Sequence, residues 1–108
     1  MDIDALKQLP GFQLDATLEM LGGNRDIFAM VMAQFKVEFG NWQYAMSQAD
    51  LEGQITLAHS LKGAASNVGA ITLYEHASEL EHALRNEAPY DTALIDTQAS
   101  LDALLNLL

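Results

Sequence analysis

His59, Lys62, Gly63 and Ser66 are the residues of this chain whose types and spacing could do chemistry. In a helix, at about 100° per residue, Lys62 lies roughly 60° to one side of His59 and Gly63 about 40° to the other. Ser66 follows a turn further on, nearly in line with His59. A neutral imidazole offers a nitrogen nucleophile, an ammonium one turn away offsets charge on oxygen, and a glycine leaves the backbone bare. Together they suit a phosphate carried on His59 and handed to a docked partner. Lys62 is also the only basic residue between positions 37 and 84, because Lys7, Arg25, Lys36 and Arg85 all lie outside that stretch. A single cation amid acidic residues points to a local task.

The elements that must position these groups follow from the apolar spacing, which predicts five helices and no strand. The first starts at about Asp15, which can cap it, and runs through Leu18 and Leu21 to a stop at Gly22-Gly23. Asn24 caps the second, read as one helix carrying Phe28, Val31, Met32, Phe35, Phe39, Trp42 and Met46, with Gly40 as a point of bending. Asp50 opens the third, whose buried stripe is Ile55, Ala58, Leu61, Ala65 and Val68. His59, Lys62, Gly63 and Ser66 fall outside that stripe, so the core uses one face and leaves the histidine face free. Gly69 ends this helix. Thr72-x-x-Glu75 reads as a capping box for the fourth, with Leu73, His76, Ala77, Leu80 and Leu84 as its stripe. Pro89 and Asp91 mark the turn before a fifth helix bearing Leu94, Leu101, Leu104, Leu105 and Leu108. Short links make neighbours antiparallel, which gives an all-α, up-down-up-down four-helix bundle with a short N-terminal helix over one end. Residues 1–108 form one domain, the first ten or so loosely ordered.

Composition narrows the chemistry. A formal charge of −10 opposes binding to a phosphate backbone, so nucleic acid is not an expected partner. There is no cysteine, hence no disulfide framework or thiolate metal site, and a reducing compartment is compatible. No signal peptide or membrane span is expected, and the domain reads as a cytoplasmic monomer without membrane contact. Glu79-x-x-His82 has the spacing used in di-iron bundles, but such sites need a second pair and further inward glutamates, and these two residues lie off the buried stripe. No metal or cofactor is expected. His76, on the stripe, reads as a partly buried histidine bonded to a neighbour, and His82 as a surface residue. No glycine-rich nucleotide loop is present, so no ATP-dependent kinase activity is expected of this chain.

His59-Ser60-Leu61-Lys62-Gly63 followed by Gly69 resembles the signature of histidine-containing phosphotransfer (HPt) domains of two-component phosphorelays. Leu14-Asp15 through Leu21-Gly22-Gly23-Asn24 and Phe28 is similar to the family's opening segment, and Ala77 through Leu80-Glu81 and Ala83-Leu84-Arg85 to its next helix. The resemblance implies a bundle that accepts a phosphoryl group from a receiver domain's aspartyl phosphate and donates it to another receiver's aspartate. Partners would be receiver domains of response regulators or hybrid sensor kinases, with magnesium held by the receiver. His59 would be the phosphoacceptor, Lys62 would offset charge on the phosphoryl oxygens, and Gly63 would let the partner's rim approach. Glu81 matches a family position whose side chain can hydrogen-bond the other imidazole nitrogen, and Ser66 lies beside the site in support.

Two other readings stand beside it. In one, the His59 face docks receiver domains as a non-catalytic helical adaptor and carries no phosphate. In the other, the chain is a sensor kinase's dimerisation and phosphoacceptor region, where an acidic residue typically follows the histidine and a proline comes soon after. Ser60 follows His59 and no proline intervenes before Pro89, which argues against it.

Overall fold

The computed structural model describes all 108 residues and contains six α-helices, α1 Leu14–Met20, α2 Arg25–Phe39, α3 Trp42–Gln48, α4 Leu51–Val68, α5 Ile71–Arg85 and α6 Asp91–Leu105. They pack as an elongated helical bundle measuring 41 × 22 × 20 Å. No helix is long and apolar enough to cross a membrane.

Local chemistry sets the ends of α4, the helix that carries His59. The Asp50 carboxylate accepts the Gly53 N–H at 2.8 Å, satisfying one of the donors that a helix start leaves free. At the other end Gly69 takes φ +87°, a left-handed cap that closes the helix. A side chain at Gly69 would run into the Thr17 hydroxyl and lie 2.9 Å from the Gln13 carbonyl oxygen. Two residues then lead into α5, so α4 and α5 run antiparallel side by side. Asn24 caps α2 in the same way as Asp50, accepting the Ile27 N–H at 3.0 Å.

The core is one cluster running through every helix. Phe28 and Met32 of α2, Leu61 of α4, Leu80 of α5 and Leu101 of α6 are wholly buried. On α4 the buried residues are Ala58, Leu61, Ala65 and Val68, the expected stripe with Ile55 only half buried. Ala58 and Ala65 of α4 and Ala77 of α5 are also wholly buried.

Several local expectations are corrected. The second helix is two: α2 ends at Phe39 and α3 begins at Trp42. The break falls at Gly40, where a Cβ would lie 2.7 Å from the Lys36 carbonyl oxygen. Phe39, Trp42 and Met46 stay buried across it, so the apolar register hides the interruption, while Val31 is exposed. Thr72 does not cap α5, which starts at Ile71, because its hydroxyl donates instead to the Pro10 carbonyl at 2.7 Å. Asp15 likewise lies inside α1 rather than at its cap, which is Gln13. Ahead of α1, Ile3–Gln8 form a 3-10 helix that buries Ile3 and Leu6. Phe12 and Ala70 then form an antiparallel bridge that ties this segment to the α4–α5 turn.

Candidate functional site

His59 lies midway along α4 with its side chain 62 % exposed. Lys62 is half buried to one side, and Gly63 and Ser66 are exposed on the same strip. Around Gly63 an added Cβ would meet nothing within 4 Å. No packing inside the molecule therefore requires glycine there, although glycine in a helix interior costs about 1 kcal/mol relative to alanine. Trp42 braces the same helix, donating its indole N–H to the Leu57 carbonyl at 3.1 Å.

The fourth group comes from α5. Glu81 sits next to the buried stripe of that helix, and only 7 % of its side chain is exposed. One carboxylate oxygen, Oε2, lies 3.0 Å from His59 Nδ1. With the proton on Nδ1, the imidazole donates to Glu81 and its Nε2 lone pair is left pointing away from that contact. The same Oε2 accepts from Arg85 Nε at 2.8 Å and meets Arg85 Nη2 at 2.8 Å. The other oxygen, Oε1, meets the Lys62 ammonium at 2.7 Å, an ion pair approached off the hydrogen-bonding angle.

Burial by itself pushes the Glu81 carboxyl up, but contacts from Lys62, Arg85 and His59 outweigh it and hold the group at about 2. Glu81 is therefore an anion wherever the fold exists near neutral pH. A buried carboxylate with this many donors is fixed in place, and it fixes the His59 ring in turn.

The sequence-derived residues His59, Lys62, Gly63 and Glu81 thus meet at one point on the α4–α5 face, with Ser66 one turn further along. Arg85 was absent from that group, although Glu81 and Arg85 stand four apart on one helix, the spacing of an intrahelical ion pair. His76 is half buried, but its Nδ1 is sealed from solvent without a hydrogen-bond partner, not bonded to a neighbour as expected. His82 is exposed and sits beside the Asn86 side chain at the end of α5.

His59, Lys62 and Gly63 line none of the larger clefts of the molecule. One cleft, where the end of α2 and α3 face α4, is bounded by Phe39, Trp42, Leu57 and Ser60. The imidazole stands on open surface with a cation and a bare stretch of backbone around it. A family model described as Hpt domain matches residues 26–108, which take in α2 from its second residue, α3 to α6, and His59, Lys62, Gly63, Ser66, Glu81 and Arg85. No curated protein and no solved structure gives a match.

Proposed function

The chain belongs to the Hpt domain family, and on that footing we propose that His59 carries a phosphoryl group between receiver domains of a two-component phosphorelay. The observation that supports this most is the contact of His59 Nδ1 with the buried Glu81, which leaves Nε2 as the free nucleophile.

In the forward step the Nε2 lone pair attacks the phosphorus of a receiver's aspartyl phosphate. The N–P bond forms as the P–O bond to the acyl group breaks, and the aspartate carboxylate leaves with the electron pair. The Nδ1 proton stays where it is, donated to Glu81. The phosphorylated ring becomes cationic, and the adjacent Glu81 carboxylate stabilises that charge. Onward transfer is the same reaction run toward a second receiver's aspartate.

Lys62 stands one helical turn from His59 and offsets charge on the phosphoryl oxygens, the usual task of a positioned cation in phosphoryl transfer. Gly63 keeps the neighbouring surface low, so a receiver's active-site rim reaches Nε2. Small-molecule sites are concave, and this ring lies on open surface, which fits a macromolecular donor and acceptor. Magnesium belongs to the receiver in this scheme, and no cofactor is assigned to the chain.

The test is to incubate the chain with a radiolabelled phosphorylated receiver. Acid-labile, alkali-stable label that disappears in His59→Gln is the expected result. Label that persists in that variant rejects His59 as acceptor. Receiver binding without any transfer supports the adaptor reading instead.

A further inference from the structure

Glu81 has more positive charge around it than a partner for His59 requires. Its side chain is 7 % exposed, and both Lys62 and Arg85 are paired with it. A carboxylate this far from water needs a counter-charge, and leaving one stranded is costly. If Lys62 were the only cation on Glu81, turning it outward to an incoming phosphoryl group would leave the carboxylate with no counter-charge until the N–P bond forms and the ring becomes cationic. Arg85 removes that obstacle.

We infer that Arg85 is a positioning residue, which keeps Glu81 neutralised so that Lys62 can exchange its carboxylate contact for one with the phosphoryl oxygens. This inference rests on the reading of His59 as phosphoacceptor. The two cations are held differently. Arg85 directs two nitrogens, Nε and Nη2, at Oε2, both at 2.8 Å, and its rigid guanidinium is preorganised for that contact. Lys62 meets the other oxygen through a single ammonium on a flexible stem and off the hydrogen-bonding angle, whereas Arg85, although its side chain is the more exposed at 56 % against 28 %, is held by two contacts. Lys62 projects from the helix that bears His59, one turn along. Lys62 is therefore the mobile partner and Arg85 the fixed one. During transfer Arg85 neither gains nor loses a proton and makes no bond to phosphorus. Glu81 keeps Arg85 and the newly cationic imidazole while Lys62 moves to the phosphoryl group.

The inference is tested by a double-mutant cycle on the rate of transfer from a phosphorylated receiver. Arg85→Gln is expected to slow transfer about tenfold, within the range of coupling between charged neighbours. In a Lys62→Ala background the same change is expected to cause no further slowing, because no lysine remains to be freed. Arg85→Lys, which retains the charge without the fork, is expected to recover part of the rate and serves as the second variant should Arg85→Gln fail to fold. In parallel, the Lys62 side-chain nitrogen resonance is expected to shift on phosphorylation of the wild type and to stay put in Arg85→Gln. Equal slowing in both backgrounds would mean that Arg85 acts on its own, and overturns the inference. So does an unchanged rate in Arg85→Gln. Failure of the underlying reading looks different, since the wild type itself would then take no label on His59.

Discussion

His59 Nδ1 and Glu81 Oε2 lie 3.0 Å apart across the α4–α5 interface, joining an imidazole that is mostly exposed to a carboxylate that is mostly buried. The pair divides the work of the site between interior and surface. Glu81 is anchored by the bundle and holds one side of the ring, while in the proposed role Nε2, on the far side, is the nucleophile that another protein reaches.

Glu81→Gln removes an anion whose carboxyl is held at about 2 in the folded chain against 4.5 for the ordinary group. A depressed value adds stability that is complete above the unfolded-state value and is lost as pH falls through the folded one. The stability advantage of the wild type over Glu81→Gln should therefore persist near neutral pH and shrink between about pH 4.5 and about pH 2. Urea denaturation of both proteins across that range checks it. A gap that widens on acidification contradicts the assignment.

Gly63→Ala should separate folding from function. The new methyl group meets nothing within 4 Å, so the fold should gain about 0.5–1 kcal/mol from the loss of helical glycine. Transfer should slow by about ten- to a hundredfold if a partner must approach the bare backbone closely, since a displacement of about 1 Å at reacting atoms costs on that order. Denaturation midpoints and transfer rates measured on one preparation decide the point. An alanine variant that transfers at the wild-type rate removes the argument for close approach.

Lys62→Ala should leave the bundle folded, because Glu81 retains its contacts with Arg85 and His59. Transfer should fall by about a hundredfold, the order seen when one group stabilising developing charge is removed. Helical circular dichroism and the rate of label uptake test the two halves separately. Loss of helicity would make Lys62 a structural residue.

Gly69→Ala tests the scaffold rather than the chemistry. Its left-handed backbone and the closeness of the Thr17 hydroxyl and Gln13 carbonyl leave no room for a Cβ. Destabilisation by about 1–3 kcal/mol or more is expected, from strain at a site that only glycine fits. The folded fraction should transfer at the normal rate, which a thermal melt and an activity assay below the transition will show.

The legibility of this molecule from its sequence varied with distance along the chain. Helical period alone separates His59, Lys62, Gly63 and Ser66 from Ala58, Leu61 and Ala65, because all lie on one helix. Glu81 is 22 residues from His59, and helical period does not fix how two helices rotate against each other, so only family resemblance placed it. The part of Arg85 is not legible from spacing, because a glutamate and an arginine four apart make an ordinary surface pair in many helices and the burial of Glu81 is a tertiary fact. The break at Gly40 was concealed by an apolar stripe that keeps its register through Phe39, Trp42 and Met46. Thr72 had the pattern of a capping residue, but the Pro10 carbonyl, brought in by the N-terminal segment, captured its hydroxyl.

The central claim is that Glu81 holds the His59 ring so that phosphate arrives on Nε2. Long-range proton–nitrogen NMR of the imidazole, combined with phosphorus NMR after reaction with a phosphorylated receiver, tests it most directly. The expected spectrum shows an Nδ1-protonated ring before reaction and phosphorus coupled to Nε2 afterwards. Phosphorus on Nδ1, or on any residue other than His59, would contradict the account.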